Sequence, residues 1–183
     1  MKLAKNLDRL GTETAFSVLA EAKKLEAQGK EMIHLGLGQP DFMTPKHIMD
    51  AAKKAIDDGH HGYVLANGIV ECRQAVSRKI KNLYKKEVSP ERIMIMPGGK
   101  PTMYFAIQMI GEPGAEIVHP TPGFPIYESM INYTGAKAVP YDLTKEKDLK
   151  FDPEKILSLI TDKTRLVILI NPNNPTGSFV EKP

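Results

Sequence analysis

An α/β fold, three layers deep with a mainly parallel sheet between helices, is predicted by three features of the 183-residue sequence. Beyond residue 90, short β-prone runs alternate with single helix-patterned segments, the arrangement that right-handed crossovers and a parallel sheet require. Leu166-Val-Ile-Leu-Ile170 is continuously aliphatic, as expected of a strand buried on both faces. Turns rich in Gly, Pro and Asn follow these runs, and in open α/β sheets ligands sit just beyond the carboxyl ends of the strands.

The elements follow in order. Glu13 to Gln28 places Phe16, Leu19, Ala20 and Leu25 between charged residues and ends at Gly29, so it reads as an amphipathic helix. Met32-Ile-His-Leu-Gly36 is a short extended piece. Helices are predicted over Pro45 to Asp57, with Thr44 as N-cap and Gly59 as terminator, and over Ile69 to Lys86. Strands are predicted at Arg92–Met96, Glu116–His119, Lys137–Tyr141 and Leu166–Ile170. The helices between them are expected at Pro101–Ile110, Pro125–Tyr133 and Pro153–Ile160, and Asp142 to Lys150 reads as a polar surface loop. The one break in composition, near residue 44, separates an N-terminal arm with its own helix (1–44) from the alternating part (45–183).

Composition excludes several classes. Lys+Arg 25 against Asp+Glu 22 leaves a net charge of +3, too balanced to argue for nucleic acid, and the cluster Arg78, Lys79, Lys81, Lys85 and Lys86 reads as a solvated helix face. Cys72 is the single cysteine, so no intrachain disulfide can form, which suits a reducing cytoplasm. His60 and His61 are adjacent, and His34, His47 and His119 lack ligand spacing, so no metal site is indicated. No apolar run approaches the ~18 residues of a membrane span, and the first residues lack a signal-peptide core. A soluble, cytoplasmic protein is expected.

Three strand ends carry the chemistry. Pro97-Gly98-Gly99-Lys100 opens a helix; glycines let backbone N–H groups approach an anion, and the helix N-terminus adds partial positive charge. A tight turn without ligand remains the other reading. It is not a Walker A loop, since Met94 stands where the first glycine belongs and Pro101 replaces the Ser/Thr. Pro120-Thr-Pro-Gly-Phe124-Pro-Ile-Tyr127 places a ring that can stack on a planar ligand or fill core. In Asn171-Pro-Asn-Asn174-Pro-Thr-Gly177, Pro172 and Pro175 can hold an intervening asparagine amide as a preset neutral donor, or simply build a turn. Gly36-Leu-Gly38-Gln-Pro-Asp41 begins like a dinucleotide fingerprint, but Asp41 replaces its third glycine.

These strings together resemble the class I and II aminotransferases, pyridoxal-phosphate enzymes of fold type I: Leu35 to Asp41, Tyr63 with Asn67-Gly68, Pro97 to Lys100, Pro122 to Tyr127 and Asn171 to Gly177, in that family's order over nearly the whole chain. The resemblance implies the large cofactor-binding domain of that fold, with residues 1–44 belonging to a small domain and 45–183 forming only its N-terminal part. It implies pyridoxal 5′-phosphate as cofactor. Gly98, Gly99 and Lys100 would hold its phosphate, Phe124 would lie against the pyridine ring and Asn174 would donate to the ring hydroxyl oxygen. Gly38 would approach the substrate carboxylate, and Tyr63, otherwise an ordinary loop tyrosine, would reach the phosphate of a neighbouring subunit.

The same resemblance puts the Schiff-base lysine beyond residue 183, so no catalytic residue is assigned and this piece alone is expected to be inactive. It also places the 92–96 strand at a far edge of the sheet, paired beyond residue 183, with the other three grouped together. A homodimer is the expected assembly. The leading expectation is the N-terminal portion of an aminotransferase acting on an amino acid and a 2-oxo acid. A carbon–sulfur lyase or aminocyclopropane-carboxylate synthase-like enzyme, the sensor half of a regulator and a noncatalytic phosphate-binding module are the alternatives.

Overall fold

The computed structural model describes residues 2–11, 14–143 and 148–181. In chain order its elements are α1 (Thr14–Ala27), α2 (Lys46–Asp57), α3 (Val70–Tyr84), α4 (Gly99–Ile110), β1 (Glu116–Thr121), α5 (Ile126–Thr134), β2 (Lys137–Asp142), α6 (Pro153–Ser158) and β3 (Thr164–Val167), with 3-10 turns at Lys5–Arg9 and Pro90–Arg92. They form two compact units, Met1–Gly38 with Lys100–Pro183, and Gln39–Gly99. The division falls in the first turn of α4.

The first unit holds a parallel sheet of order β2-β1-β3. β1 lies in the middle, so both of its faces must be covered, and its side chains sort accordingly. Ile117 packs with Ile107 of α4 and Met130 and Ile131 of α5, whereas Val118 packs with Tyr141, Leu143 and Ile156 of α6. Helices therefore cover both faces, and the three-layer α/β/α reading holds. The pairing runs Glu116 to Lys137 through Thr121 to Asp142 on one side; on the other, Ile117 pairs with Leu166 and Val118 with Val167 after an irregularity that leaves Arg165 unmatched.

The N-terminal arm is tied to α5. Arg9 Nη2 donates to the Tyr133 carbonyl at 2.7 Å, and the Gly11 backbone exchanges hydrogen bonds with the Ser129 hydroxyl (2.9 and 3.2 Å).

In the second unit the determining residue is Arg73 of α3, which is 1% exposed. Its guanidinium donates to the carbonyls of Gly68 (3.1 Å) and Pro90 (3.0 Å) and to the Glu91 carboxylate (3.2 Å). Gly68 is needed where it stands, at φ +94, because a Cβ there would come within 2.8 Å of Ile95.

Several expectations are corrected. Arg92–Met96 is not a strand; Arg92 closes a 3-10 turn, and the Ile95 N–H bonds the Asn67 carbonyl at 3.1 Å instead of entering a ladder. A β-prone run needs a neighbouring strand to satisfy its backbone, and none pairs with it among the described residues. The strand expected at Leu166–Ile170 begins two residues earlier and ends at Val167, although the Ile168 N–H still reaches the Val118 carbonyl at 2.8 Å. Pro45, not Thr44, is the N-cap of α2, without a side-chain cap bond. Lys85 takes a left-handed conformation (φ 54) and stops α3 before Lys86, and α6 ends at Ser158. Asp142 belongs to β2; Glu13 and 144–147 of the expected loop lie outside the described residues.

β1 also buries His119, 4% exposed, with Nε2 lacking a hydrogen-bond partner. Burial pushes its pKa down, opposed by the Glu128 carboxylate and by the backbone at Pro120. A folded pKa below the unfolded value, about 6.5, means that the unfolded chain binds the extra proton, so stability is full above about pH 6.5 and declines as pH falls below it. His119→Leu is expected to flatten the pH 7 to pH 5 limb of a denaturation-midpoint profile; an unchanged limb would assign the acid sensitivity to other groups. Tyr141, buried by the sheet and donating to the Ile168 carbonyl at 3.0 Å, has its phenol pushed up to about 12 by burial and by Tyr127, so it remains a neutral donor throughout that range.

Candidate functional site

The carboxyl ends of β1 and β3 lie at one edge because the two strands are parallel neighbours. After Thr121 the chain passes a cis Thr121–Pro122 bond and Gly123 and delivers Phe124 just ahead of α5. Phe124 is half-buried and meets Tyr127 edge-on, with ring centroids 6.3 Å apart and planes at 82°. Lys100, in the first turn of α4, sets its ammonium 5.5 Å from the centre of the Phe124 ring and 5.3 Å from that of Phe16 on α1. Both distances are within the range in which a ring quadrupole attracts a cation.

After β3 comes the Asn-Pro turn, where the three asparagines have different tasks. Asn171 clamps the returning chain, its Nδ2 donating to the Val180 carbonyl and its Oδ1 accepting the Val180 N–H, both at 2.9 Å. Asn173 is buried and its Nδ2 donates to Thr176 Oγ1 at 2.9 Å. Thr176 and Ser178 hydroxyls are 2.7 Å apart, and Ser178 donates to the Leu149 carbonyl at 2.6 Å. Because Ser178 has one hydroxyl proton and spends it there, Thr176 must donate to Ser178, giving a one-way relay from Asn173 to the 149 loop. Asn174 is exposed and makes no hydrogen bond to any described residue. Asn173 Oδ1, in contrast, is buried without a hydrogen-bond partner among the described residues.

This division of labour predicts a contrast. Asn173→Ala is expected to destabilise by about 1–2 kcal/mol through the broken relay, and Asn174→Ala to change stability by less than about 0.5 kcal/mol. Urea midpoints of the two variants decide it; equal losses would mean that Asn174 is part of the turn's own scaffold.

Gly98 has φ +98, is exposed, and has no atom within 4 Å of where a Cβ would stand. Gly99 is the first residue of α4 and equally exposed. Tyr63, in the other unit, is fully exposed and borders a cavity of about 640 Å³ with His60, Val64, Ile69 and Glu71. Gly38 is exposed, again with nothing within 4 Å of a built Cβ. The structure thus joins Lys100 to Phe124 and puts the Asn174 turn on the same sheet edge, while Gly38 and Tyr63 stand in open surroundings. Among the described residues no group of three or more His, Cys, Asp or Glu could hold a metal ion.

Comparison with known proteins decides the family. The sequence model for aminotransferase class I and II matches residues 30–183. The chain belongs to the class I and II aminotransferases. Aspartate aminotransferase of Bacillus subtilis is 36% identical over 177 residues, covering 97% of this chain and 45% of that protein. The (5-formylfuran-3-yl)methyl phosphate transaminase of Methanocaldococcus jannaschii is 34% identical over 180 residues, 98% of this chain and 46% of that one. Among solved structures, alanine aminotransferase from Pyrococcus furiosus superposes with TM-score 0.91 at 30% identity, over 99% of this chain and 47% of that one. Aspartate aminotransferase from Thermus thermophilus with maleate gives TM-score 0.91 at 31% identity, covering 100% and 48%. This aminotransferase chain spans about half the length of the curated relatives it matches.

The sequence reading of this aminotransferase chain singled out Asn174 through the resemblance, but it counted Phe16 only as one apolar position on α1 and gave Asn173 no structural task. Nothing in the helical spacing of α1 marks a lysine-facing ring. The Asn173-x-x-Thr176-x-Ser178 spacing did offer a signal, since short polar side chains two and three residues apart commonly satisfy a turn locally.

Proposed function

We propose that this chain is the cofactor-cradling N-terminal portion of a pyridoxal-phosphate aminotransferase that moves an amino group between an amino acid and a 2-oxo acid. The observation that carries the reading is the sorting of the Asn-Pro turn, which commits Asn171 and Asn173 to structure and leaves the Asn174 amide exposed, at the sheet edge that also bears Phe124. These residues fit a planar, phosphorylated, hydroxylated pyridine: a half-buried ring to lie along it, a neutral amide donor for its phenolate oxygen, and an open glycine turn with a lysine at a helix start for its phosphate. Pyridoxal phosphate supplies the electron sink that makes amino-group transfer possible. The chain's own part is to orient. Asn174 would donate to the ring oxygen and favour negative charge there, Phe124 would lie along the ring, Gly98, Gly99 and Lys100 would hold the phosphate, and Gly38 would leave room for a substrate carboxylate.

In the whole protein, residues 1–44 would belong to the small domain and 45–183 to the large one. A homodimer is supported by Tyr63, whose fully exposed ring is available to a neighbouring subunit's phosphate. Among the described residues no helix is long and apolar enough to cross a membrane, and together with the lone Cys72 this supports a cytoplasmic enzyme.

The test is to express the complete reading frame that contains these residues and assay it with pyridoxal phosphate, 2-oxoglutarate and a panel of amino acids. Formation of glutamate is the expected result, with the 183-residue chain alone giving none. Release of pyruvate, ammonia and a thiol from a thioether amino acid without amino transfer, or no reaction with any amino acid, would overturn it.

A further inference from the structure

We propose that Glu26 and His34 are positioning residues for the substrate carboxylate: their hydrogen bond ties the segment carrying Gly36 and Gly38 to the last turn of α1. The proposal rests on the aminotransferase reading above and adds to it two residues from outside the strand-end turns. All four residues belong to the first unit.

The Glu26 carboxylate and the His34 imidazole meet at 2.6 Å, Oε1 to Nε2, with both side chains 41% exposed. An ionised carboxylate can only accept, so Nε2 carries a proton and donates it. The bond therefore forms whether the ring is neutral or protonated. Glu26 itself stands where local rules disfavour it. It is the second-last residue of α1, at the end where the helix dipole presents partial negative charge, so its carboxylate weakens the helix slightly instead of supporting it. The chain then reverses at Gly29 (φ +83), whose N–H bonds the Glu26 carbonyl at 2.8 Å, and the returning segment brings the His34 donor to the carboxylate. A residue that breaks a local preference and gains a distant partner is where a functional constraint is expected.

Packing does not fix the segment that follows. Ile33 and Leu35, on either side of His34, are 83% and 90% exposed. Gly36 and Gly38 have no atom beyond their chain neighbours within 4 Å of a built Cβ. Glycine has the most backbone freedom to lose, so such a segment is costly to order when a ligand arrives. A tether at His34, just ahead of both glycines, restricts how far they can stray, and its other end is a 14-residue helix. Backbone held in place beforehand costs less to order on binding.

The variants are Glu26→Met, which removes the acceptor, His34→Phe, which keeps a ring and removes the donor, the double variant, and Glu26→Gln, which keeps an acceptor oxygen. Glu21→Met, which removes the Lys24 pair on the same helix and leaves Glu26 in place, is the control. Each is made in the complete protein and assayed with 2-oxoglutarate and the amino acid of highest turnover. The substrate carboxylate keeps its charge throughout amino transfer, so a contact to it binds ground and transition states alike, and misplacing that contact raises KM without lowering kcat. Glu26→Met and His34→Phe should each raise KM for both substrates roughly 2- to 5-fold, the size of a half-exposed ion-pair contact, with kcat unchanged. The double variant should be no worse than either single one, Glu26→Gln should recover most of the loss, and the control should match the wild type. Unchanged KM, a fall in kcat at constant KM, or additive losses in the double variant overturns the proposal.

A second readout needs neither cofactor nor substrate. In the 183-residue chain, NMR relaxation should give lower backbone order parameters at Gly36 and Gly38 in Glu26→Met than in the wild type or Glu21→Met, with the urea midpoint unchanged. Unchanged order at both glycines overturns the proposal, and a lowered midpoint with unchanged order would show a scaffold role in its place. Should the complete protein transfer no amino group from any amino acid, the aminotransferase reading fails, and the order parameters still decide whether Glu26 and His34 position the glycine segment.

Discussion

Replacing Arg73 by methionine is expected to cost the 39–99 unit about 3–5 kcal/mol, while Glu91→Gln costs less than about 0.5 kcal/mol. The two side chains form an ion pair, but their surroundings are unequal: Arg73 is 1% exposed and the Glu91 side chain 77%. A charge pair with one partner in water contributes little. What Arg73 does instead is satisfy the carbonyls of Gly68 and Pro90, and leaving each without its donor costs about 1–3 kcal/mol, to which imperfect filling of the guanidinium's space is added. Those carbonyls, of Gly68 and Pro90, lie 22 positions apart in the chain, in parts of the unit that lack strand pairing among the described residues, so the loss should spread. Hydrogen exchange at Ile95, whose N–H bonds Asn67, would report it locally, and denaturant unfolding globally. Comparable losses from the two substitutions would show that the ion pair, and not the carbonyl clamp, supports the unit.

Gly123→Ala is expected to lower stability by about 2–3 kcal/mol and the melting temperature by roughly 4–12 °C. A Cβ at this position would stand 2.5 Å from the Pro120 carbonyl oxygen and 3.2 Å from Pro120 Cγ. The first of these is backbone of the buried central strand, so no rotamer change relieves the clash; the chain after β1 must move. Phe124 is the next residue, and its edge contact with Tyr127 and its contact with Lys100 should move with it. The variant is therefore expected to lose affinity for pyridoxine phosphate as well as stability. Gly98→Ala, also at a special backbone angle (φ +98) but in open space, provides the control, losing stability through strain without displacing a ring. A Gly123→Ala chain as stable as the parent would mean that β1 and the turn yield more readily than their burial indicates.

Much of the architecture was legible in the sequence because it rests on local pattern. Alternating β-prone runs and helical segments between residues 115 and 170 specify a parallel sheet with crossovers, and the described strands pair in that way. Glycines 29 and 59 stop their helices because each takes a positive φ that most residues resist. The strings from Leu35 to Gly177 pointed to the family that the whole-chain comparison establishes.

Other features depended on which groups meet in space. Arg92-Ile-Met-Ile-Met96 has strand composition, yet a strand exists only where a neighbour accepts its hydrogen bonds, and local sequence does not contain the neighbour. Arg73 sits among charged residues of an amphipathic helix, and only the return of the chain at Pro90 turns it from a surface cation into a buried clamp. The three asparagines of one turn are alike in sequence; they differ because Val180 and Thr176 come back to engage two of them and not the third. Lys100 and Phe124 were each identified from their own strand ends, whereas their meeting with Phe16, 84 positions earlier than Lys100, followed from tertiary folding. Periodicity and turn chemistry act over a few residues and can be read along the chain, but hydrogen-bond satisfaction and charge placement are settled by contacts that close only when the chain has folded.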